Sequence, residues 1–319
     1  MFSVSEKSHR VLLLVEGPRE EEPVFKSLAE KFDLPFDIIV YGTNIYDLYR
    51  RIRDDADGDG TSFLNLRDVL LERVSRRIKD IRVELEKTGS NATQDIGERR
   101  CELAKLEKDL KKLGQDFAYT YLIYDCDIQH HDPQVQAPSI DQSLDENIPV
   151  LKAMLEYFVD ETDETIGKLY INYPMMESWR DANKVFDPDY QNAMVSLDAI
   201  KNYKQLASAK ALAGRKGTLT ALGKNAEEKE NAKKRLEQII RMMVFKLNHL
   251  HTGTWSGMGY KTYAAQSNGT IVFDKEAALM RQQRIISVIN TSLFAVLDYR
   301  GNTNGDFDRI MGESENAIV

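Results

Sequence analysis

Cysteine is nearly absent from the chain: Cys101 and Cys126 are the only two in 319 residues, and they sit in unlike surroundings. Two such residues supply neither a disulfide framework nor a cysteine-rich zinc site, and they fit a reducing compartment. No apolar run approaches the ~20 residues needed to cross a bilayer. The opening Met-Phe-Ser-Val-Ser-Glu-Lys holds no apolar leader core, so a cytoplasmic protein is expected, neither secreted nor membrane-embedded. No Gly-x-x-x-x-Gly-Lys-Ser/Thr loop occurs and Gly214 to Gly223 lacks its spacing, so the chain is not expected to hydrolyse ATP itself. Positive charge is not in excess either. A net charge of −8 excludes a uniformly basic coat for non-specific duplex binding but leaves room for a local basic groove.

What is present suits an ordinary folded protein, 42% apolar and 29% charged, long enough for two domains or for one with large insertions. Arg10-Val-Leu-Leu-Leu-Val15 reads as a buried strand stopped by Glu16-Gly17-Pro18. Glu20 to Phe32 carries a helical apolar stripe with Pro23 in its first turn. Phe36 to Tyr41 is a second strand, and Asn44 can cap a helix from Ile45 to Arg53. Strand and helix alternate with short connections, the pattern of a parallel α/β sheet. Two charged, helix-favouring stretches, Arg67–Lys87 and Asp95–Leu113, then interrupt it. They read as an inserted antiparallel helical hairpin, a scaffold or partner-docking arm with a substrate clamp as the alternative.

The core resumes with Tyr119-Thr-Tyr-Leu-Ile-Tyr-Asp125-Cys-Asp127, an uninterrupted β-favouring run that ends in two acids. Alternation along an extended chain would put both carboxylates on one face, where their repulsion calls for solvent, a cationic neighbour or a metal. A helix over Asn147–Phe158 and a short strand, Lys168–Asn172, follow. Beyond them the pattern is helical: Ala193–Leu212, Glu227–Leu250 and Lys275–Leu297, with a loop expected from Asp298 onward. The expected division is an α/β core over residues 1–60 and 116–190, the hairpin at 61–115, and a mainly helical C-terminal region at 191–319.

Glu16 and the pair Asp125 and Asp127 would share the carboxyl edge of a parallel sheet, where ligands bind in open α/β folds. Such an oxygen-rich set suits Mg²⁺ or Mn²⁺. A strand ending in Glu-Gly, a second strand, a third ending in Asp-x-Asp and then a fourth resembles the toprim domain of topoisomerases, primases and certain metal-dependent nucleases. Glu16-Gly-Pro-Arg-Glu-Glu21 resembles the Glu-Gly-x-x-x-Glu signature of toprim-like nucleases of bacterial defence, the OLD-type, RloB-like and AbiL-type proteins. Asn172-Tyr-Pro-Met-Met-Glu177-Ser-Trp179 resembles the Asn-Pro-x-x-Glu-x-Trp element of the RloB-like group, with one residue inserted before the proline. The resemblance covers about Val11 to Arg180, and the hairpin is an addition to the simplest toprim pattern. It implies Glu16 as general acid/base or metal ligand, Asp125 and Asp127 as metal ligands, and Glu21 and Glu177 as further catalytic candidates. It also implies a toprim-like sheet, phosphodiester cleavage in DNA or RNA within an abortive-infection setting, and a companion ABC- or AAA-type ATPase. Homo-oligomerisation stays open. A non-catalytic toprim-fold assembly subunit and a metal-dependent nucleotidyl transferase are the alternatives.

From Lys201 to Arg241 eleven Lys and Arg stand against four Glu, a net +7. Lys201, Lys204, Lys210, Arg215 and Lys216 are the candidates there for holding nucleic acid, and a solvated helix face is the plainer reading. Asp55-Ala-Asp57-Gly-Asp59-Gly60 opens like a calcium loop, yet Leu66 stands where the bidentate glutamate belongs. His130 and His131 follow the acidic pair, and at most one is expected to serve it. His249 and His251 read as part of a helix end before Gly253.

Overall fold

The computed structural model describes residues 10–54, 62–87, 93–131, 134, 136–182, 188–211, 225–301 and 306–312. Its centre is a mixed, mainly parallel five-stranded sheet flanked by helices. In chain order its first part comprises β1 (Val11–Val15), α1 (Glu21–Phe32), β2 (Phe36–Val40) and α2 (Ile45–Ile52). Two residue pairs, β3 (Arg53–Asp54) and β4 (Ser62–Phe63), close a small ribbon. Next come α3 (Leu66–Lys87), α4 (Thr93–Leu113), β5 (Tyr119–Asp125), α5 (Ile140–Tyr157), β6 (Val159–Asp160) and β7 (Gly167–Asn172). The sheet order is β2-β1-β5-β7-β6, parallel except for the edge strand β6. All five residues of β1 are buried, because the strand has a neighbour on each side and covered faces. That is why its sequence is uninterruptedly apolar rather than alternating.

Local capping signals set the helices. Asn44 accepts the Asp47 N–H at 3.0 Å to start α2. The reading that placed the next helix at Asn147–Phe158 is too short: α5 begins at Ile140, where Ser139 and Gln142 form a capping box. Asn147 lies inside it and donates to the Ile128 and His130 carbonyls, both at 2.9 Å, fastening the loop after β5.

Helices α3 and α4 pack against each other, and α3 buries Val69, Leu70, Val74, Ile78 and Ile81. The base is tied to the amino edge of the sheet by Arg67, which donates to the carbonyls of Leu113 (3.1 Å) and Gln115 (3.0 Å) and pairs with Glu164 (2.6 Å). Residues 88–92, between the two helices, and the Asp55–Gly60 segment lie outside the described residues.

The last third differs from the expected run of helices. It contains α6 (Pro188–Gln191), β8 (Met194–Ser196), α7 (Ile200–Ala211), α8 (Ala226–Thr252), α9 (Tyr260–Gln266), α10 (Gly269–Gln283), β9 (Ile285–Ser287), α11 (Phe294–Arg300) and α12 (Asp306–Gly312). The expected helices Ala193–Leu212 and Lys275–Leu297 are therefore each interrupted by a strand, β8 and β9, which pair antiparallel. Arg284 takes a left-handed φ of 60° and ends α10, releasing the β-branched run that follows. The partners Met194 and Ser287 are 93 residues apart in sequence, so no local periodicity announces the pairing.

Asp298, expected in a loop, lies on α11 and locks it onto the sheet. It accepts from Tyr170 Oη and Lys168 Nζ (both 2.5 Å) and from Tyr263 Oη (2.7 Å). Asp298→Ala would leave the largely buried Lys168 ammonium uncompensated and two tyrosine hydroxyls without their acceptor. The expected loss is about 3–5 kcal/mol in urea unfolding, whereas a loss below about 1 kcal/mol would reduce the contact to a surface ion pair.

Candidate active site

The strand order reverses between β1 and β5: the chain leaves β1 on one side to form β2 and returns on the other to form β5. The crevice at the carboxyl ends of two such strands is where open α/β sheets place ligands. Glu16 is the first residue beyond β1 and Asp125 the last of β5. The Asp125 backbone N–H donates to Glu16 Oε2 at 3.2 Å, so the Glu16 carboxylate lies against the end of the neighbouring strand.

Glu21 and Glu177 complete the group from other elements. Glu21 opens α1 and is buried, with Gly17 beneath it: a Cβ on Gly17 would stand 3.0 Å from Glu21 Oε2. The glycine of the Glu-Gly pair thus leaves space for a second carboxylate. Glu177 is 1% exposed, on a 3₁₀ turn (Met176–Asp181) just after the cis Tyr173–Pro174 bond. That turn is clamped by Asn290, whose side chain donates to the Met176 carbonyl at 2.7 Å, and by an ion pair between Arg180 and Glu20 at 2.6 Å.

Among the described residues, Lys204 is the cation that faces the four acids. Lys204 Nζ on α7 is 2.7 Å from Glu177 Oε1 and its charge also reaches Glu16, Glu21 and Asp125. At that distance the ammonium and the carboxylate form a close, charge-assisted pair. Burial works against the Lys204 charge, but its contact with Glu177 prevails and holds its pKa above the usual lysine value.

The acids shift one another. Burial pushes Glu16 up to about 8, with the charges of Glu21 and Asp127 adding to it and the Asp125 N–H and Lys204 opposing. Asp125 is driven well above the ordinary aspartate range by burial and then by Glu16, Glu21 and Glu177. Glu21 is raised by burial and by Glu177. Four carboxyl groups and one lysine cannot all stay ionised without a further cation or protons.

Asp127 stands apart. Pairing with β7 carries only as far as Cys126, whose N–H donates to the Asn172 carbonyl, and Asp127 then takes a left-handed φ of 33°. The extended alternation that would align it with Asp125 stops there. Its side chain keeps 47% exposure, 3.7 Å from His130 Nδ1. The His130 ring stacks on Tyr46 at 4.7 Å between centroids, and its Nδ1 is 3.2 Å from the Asn44 amide nitrogen. His131 turns the other way, with Nδ1 3.2 Å from the Gln129 carbonyl oxygen.

Of the basic candidates, Lys204 reaches the acids, and Lys201 lines a separate cavity of about 210 Å³ with Gln129, His131 and Asp198. Lys210 lies on α7 with its side chain outside the described residues, as are Arg215 and Lys216 altogether. Asn172 is a participant that sequence reasoning left without a role. It is fully buried beside Asp125, donates to Asp125 Oδ1 at 3.4 Å, and accepts the Ser292 N–H at 3.1 Å. The available signal is its position, a polar residue ending an apolar strand in register with Asp125.

The donor set is all oxygen and carries excess negative charge, the chemistry a hard divalent cation matches. Among the described residues no group of three His, Cys, Asp or Glu side chains is arranged to hold a metal. Mg²⁺ ordinarily keeps several waters and takes only one or two protein carboxylates, so Glu16 and Asp125 fit that mode. Comparison of the chain with protein-family models, curated proteins and solved structures finds no match.

The Glu16 shift has a measurable sign. Between pH 4.5 and about 8 folded Glu16 retains a proton that the unfolded chain releases, so without metal, stability falls as pH rises through that window. Unfolding midpoints in EDTA are expected to drop from pH 5 to pH 8, less steeply for Glu16→Gln, and Mg²⁺ is expected to stabilise more at pH 8 than at pH 5. Identical pH slopes for wild type and Glu16→Gln would contradict the assignment of this shift.

Proposed function

We propose that the chain is a divalent-metal-dependent nuclease of toprim type, hydrolysing phosphodiester bonds in DNA or RNA. The observation that carries the reading is the gathering of Glu16, Glu21, Asp125 and Glu177, in mutual electrostatic contact and facing one lysine, at the crevice between β1 and β5. Mg²⁺ or Mn²⁺, when bound, neutralises phosphate oxygens and lowers the pKa of its water. Glu16 and Asp125 would hold it, with Asp127 at the open rim and Glu21 beside Glu16. Glu16 would serve either as that ligand or, if the metal rests on Asp125 alone, as the general base for the attacking water. Lys204 can exchange Glu177 for a non-bridging phosphate oxygen and so fix the scissile group. Asn172 orients Asp125 through its amide. On the same reading the chain is the toxic effector of an anti-phage system, held in check by a partner ATPase.

A non-catalytic assembly subunit is the second reading, favoured by the lack of a three-carboxylate metal group among the described residues. Against it stand the raised carboxyl groups. A fold kept only for assembly gains nothing from burying Glu16, Glu21 and Asp125 at one crevice, since burial raises the pKa of all three there.

The test is cleavage of plasmid, single-stranded DNA and tRNA with Mg²⁺ or Mn²⁺, by wild type and by Glu16→Ala and Asp125→Ala. Each substitution is expected to lower the rate about 10²- to 10⁴-fold. Wild-type rates in both variants would remove these residues from the chemistry.

A further inference from the structure

A groove of about 440 Å³ lies between α2 and α3, lined by Arg51, Arg73, Arg76 and Arg77 together with Glu72 and Asp80. Four guanidinium groups share one groove with two acids in its lining, in a chain whose net charge is −8. On α3 the arginines fall at i, i+3 and i+4, one face of the helix. Arg51 meets them from α2.

Arg73 fixes the groove relative to the acids. Its Nη2 donates to the Tyr41 carbonyl at 2.7 Å and its guanidinium lies 3.9 Å from the centre of the Tyr41 ring. The next residue, Gly42, donates its N–H to the Glu16 carbonyl at 2.8 Å. The groove therefore begins where β2 ends, one strand away from Glu16, on the same edge of the sheet.

The partners of these arginines are acids of the protein's own surface. Arg51 and Arg73 pair with Asp47 at 3.1 and 3.4 Å, Arg76 with Glu72, and Arg77 with Glu102 at 2.8 Å and Glu84 at 3.5 Å. The Arg76–Glu72 pair is exposed on both sides and Arg51 is about half exposed, so these two hold little net free energy in water and salt, and an incoming anion can compete for their guanidinium groups. The planar guanidinium offers paired N–H donors that match phosphate oxygens. Arg73 to Arg77 spans about 6 Å of helix, and a DNA strand carries one charge per about 3.4 Å of rise. A row of forks on that scale suits a repeating anion better than a single phosphate.

We propose that this groove is a track for a polynucleotide backbone leading to the acid cluster, which makes the helical hairpin a substrate-holding arm. The inference deepens the nuclease reading and rests on it for what happens at the end of the track, but the binding is measured without cleavage. Fluorescence anisotropy in EDTA would compare labelled 20-mers of single-stranded DNA, RNA and duplex DNA, with ATP as the free-nucleotide arm. The proteins are wild type, Arg51→Glu/Arg76→Glu, the milder Arg51→Ala/Arg76→Ala, and a charge-matched control, Lys152→Glu/Arg281→Glu, on α5 and α10. Arg73 and Arg77 are left intact because they tie α3 to Tyr41 and to α4.

A 20-mer is expected to bind wild type with salt-dependent affinity. The double reversal is expected to weaken it at least tenfold, the alanine pair to lower the log–log salt slope by about two, and the control to stay within twofold. Affinity and slope unchanged in both Arg51/Arg76 variants would overturn the track. So would absence of 20-mer binding by wild type, or binding of ATP alone. Cleavage separates the two readings: a wild type that binds 20-mers through these arginines yet cuts none with Mg²⁺ or Mn²⁺ keeps the track and loses the nuclease.

Discussion

Repulsion among carboxylates that share too little water is the constraint on which this structure turns. Glu16, Glu21, Asp125 and Glu177 come from four separate segments of the chain; Glu21 raises the proton affinity of Glu16, Glu177 that of Glu21, and Glu16, Glu21 and Glu177 together that of Asp125. A protein of marginal stability does not hold such a group together for nothing, because every unit of raised pKa is free energy lost at neutral pH. The scaffold offsets that cost through packing elsewhere. Strands β1 and β5 are buried along nearly their whole length, and the backbone N–H of Asp125 and the amide of Asn172 give the acids fixed donors.

The arrangement also explains the punctuation of the sequence around the site. Gly17 leaves the volume that Glu21 fills, and a left-handed φ at Asp127 turns the chain away once β5 has delivered its acid. Glu20 and Arg180 join the two segments that carry Glu21 and Glu177, so that the start of α1 and the 3₁₀ turn are held as one wall. Lys204 closes the opposite side from α7, with more than half of its side chain in solvent.

Much of this was legible in the residues because the central strands of a parallel sheet are buried on both faces and must be written as plain apolar runs. Val11–Val15 and Tyr119–Tyr124 could hardly be read otherwise, and the acids that end them stand out by contrast. Asn172 carries the same signal more faintly, being neutral. Lys204 was one of five equivalent-looking cations, and only the packing of α7 on the 3₁₀ turn selects it. Strands β8 and β9 were illegible for a different reason: three residues each, paired across most of the C-terminal region, they leave no local period to detect. Asp298 was masked by its neighbours, since Tyr-Arg-Gly after it reads as the end of an element, while its three partners come from β7 and α9.

The contact between Asn172 and Ser292 sets an order in time. Asn172 places its amide beside Asp125 with its own oxygen fixed by the Ser292 N–H, and Asn290 fastens the turn that carries Glu177. Both anchors lie more than a hundred residues beyond the acids they steady. A nascent chain emerging from the ribosome exposes Glu16 and Asp125 early, but it lacks the finished crevice until the segment around residue 292 has been made and folded against β7.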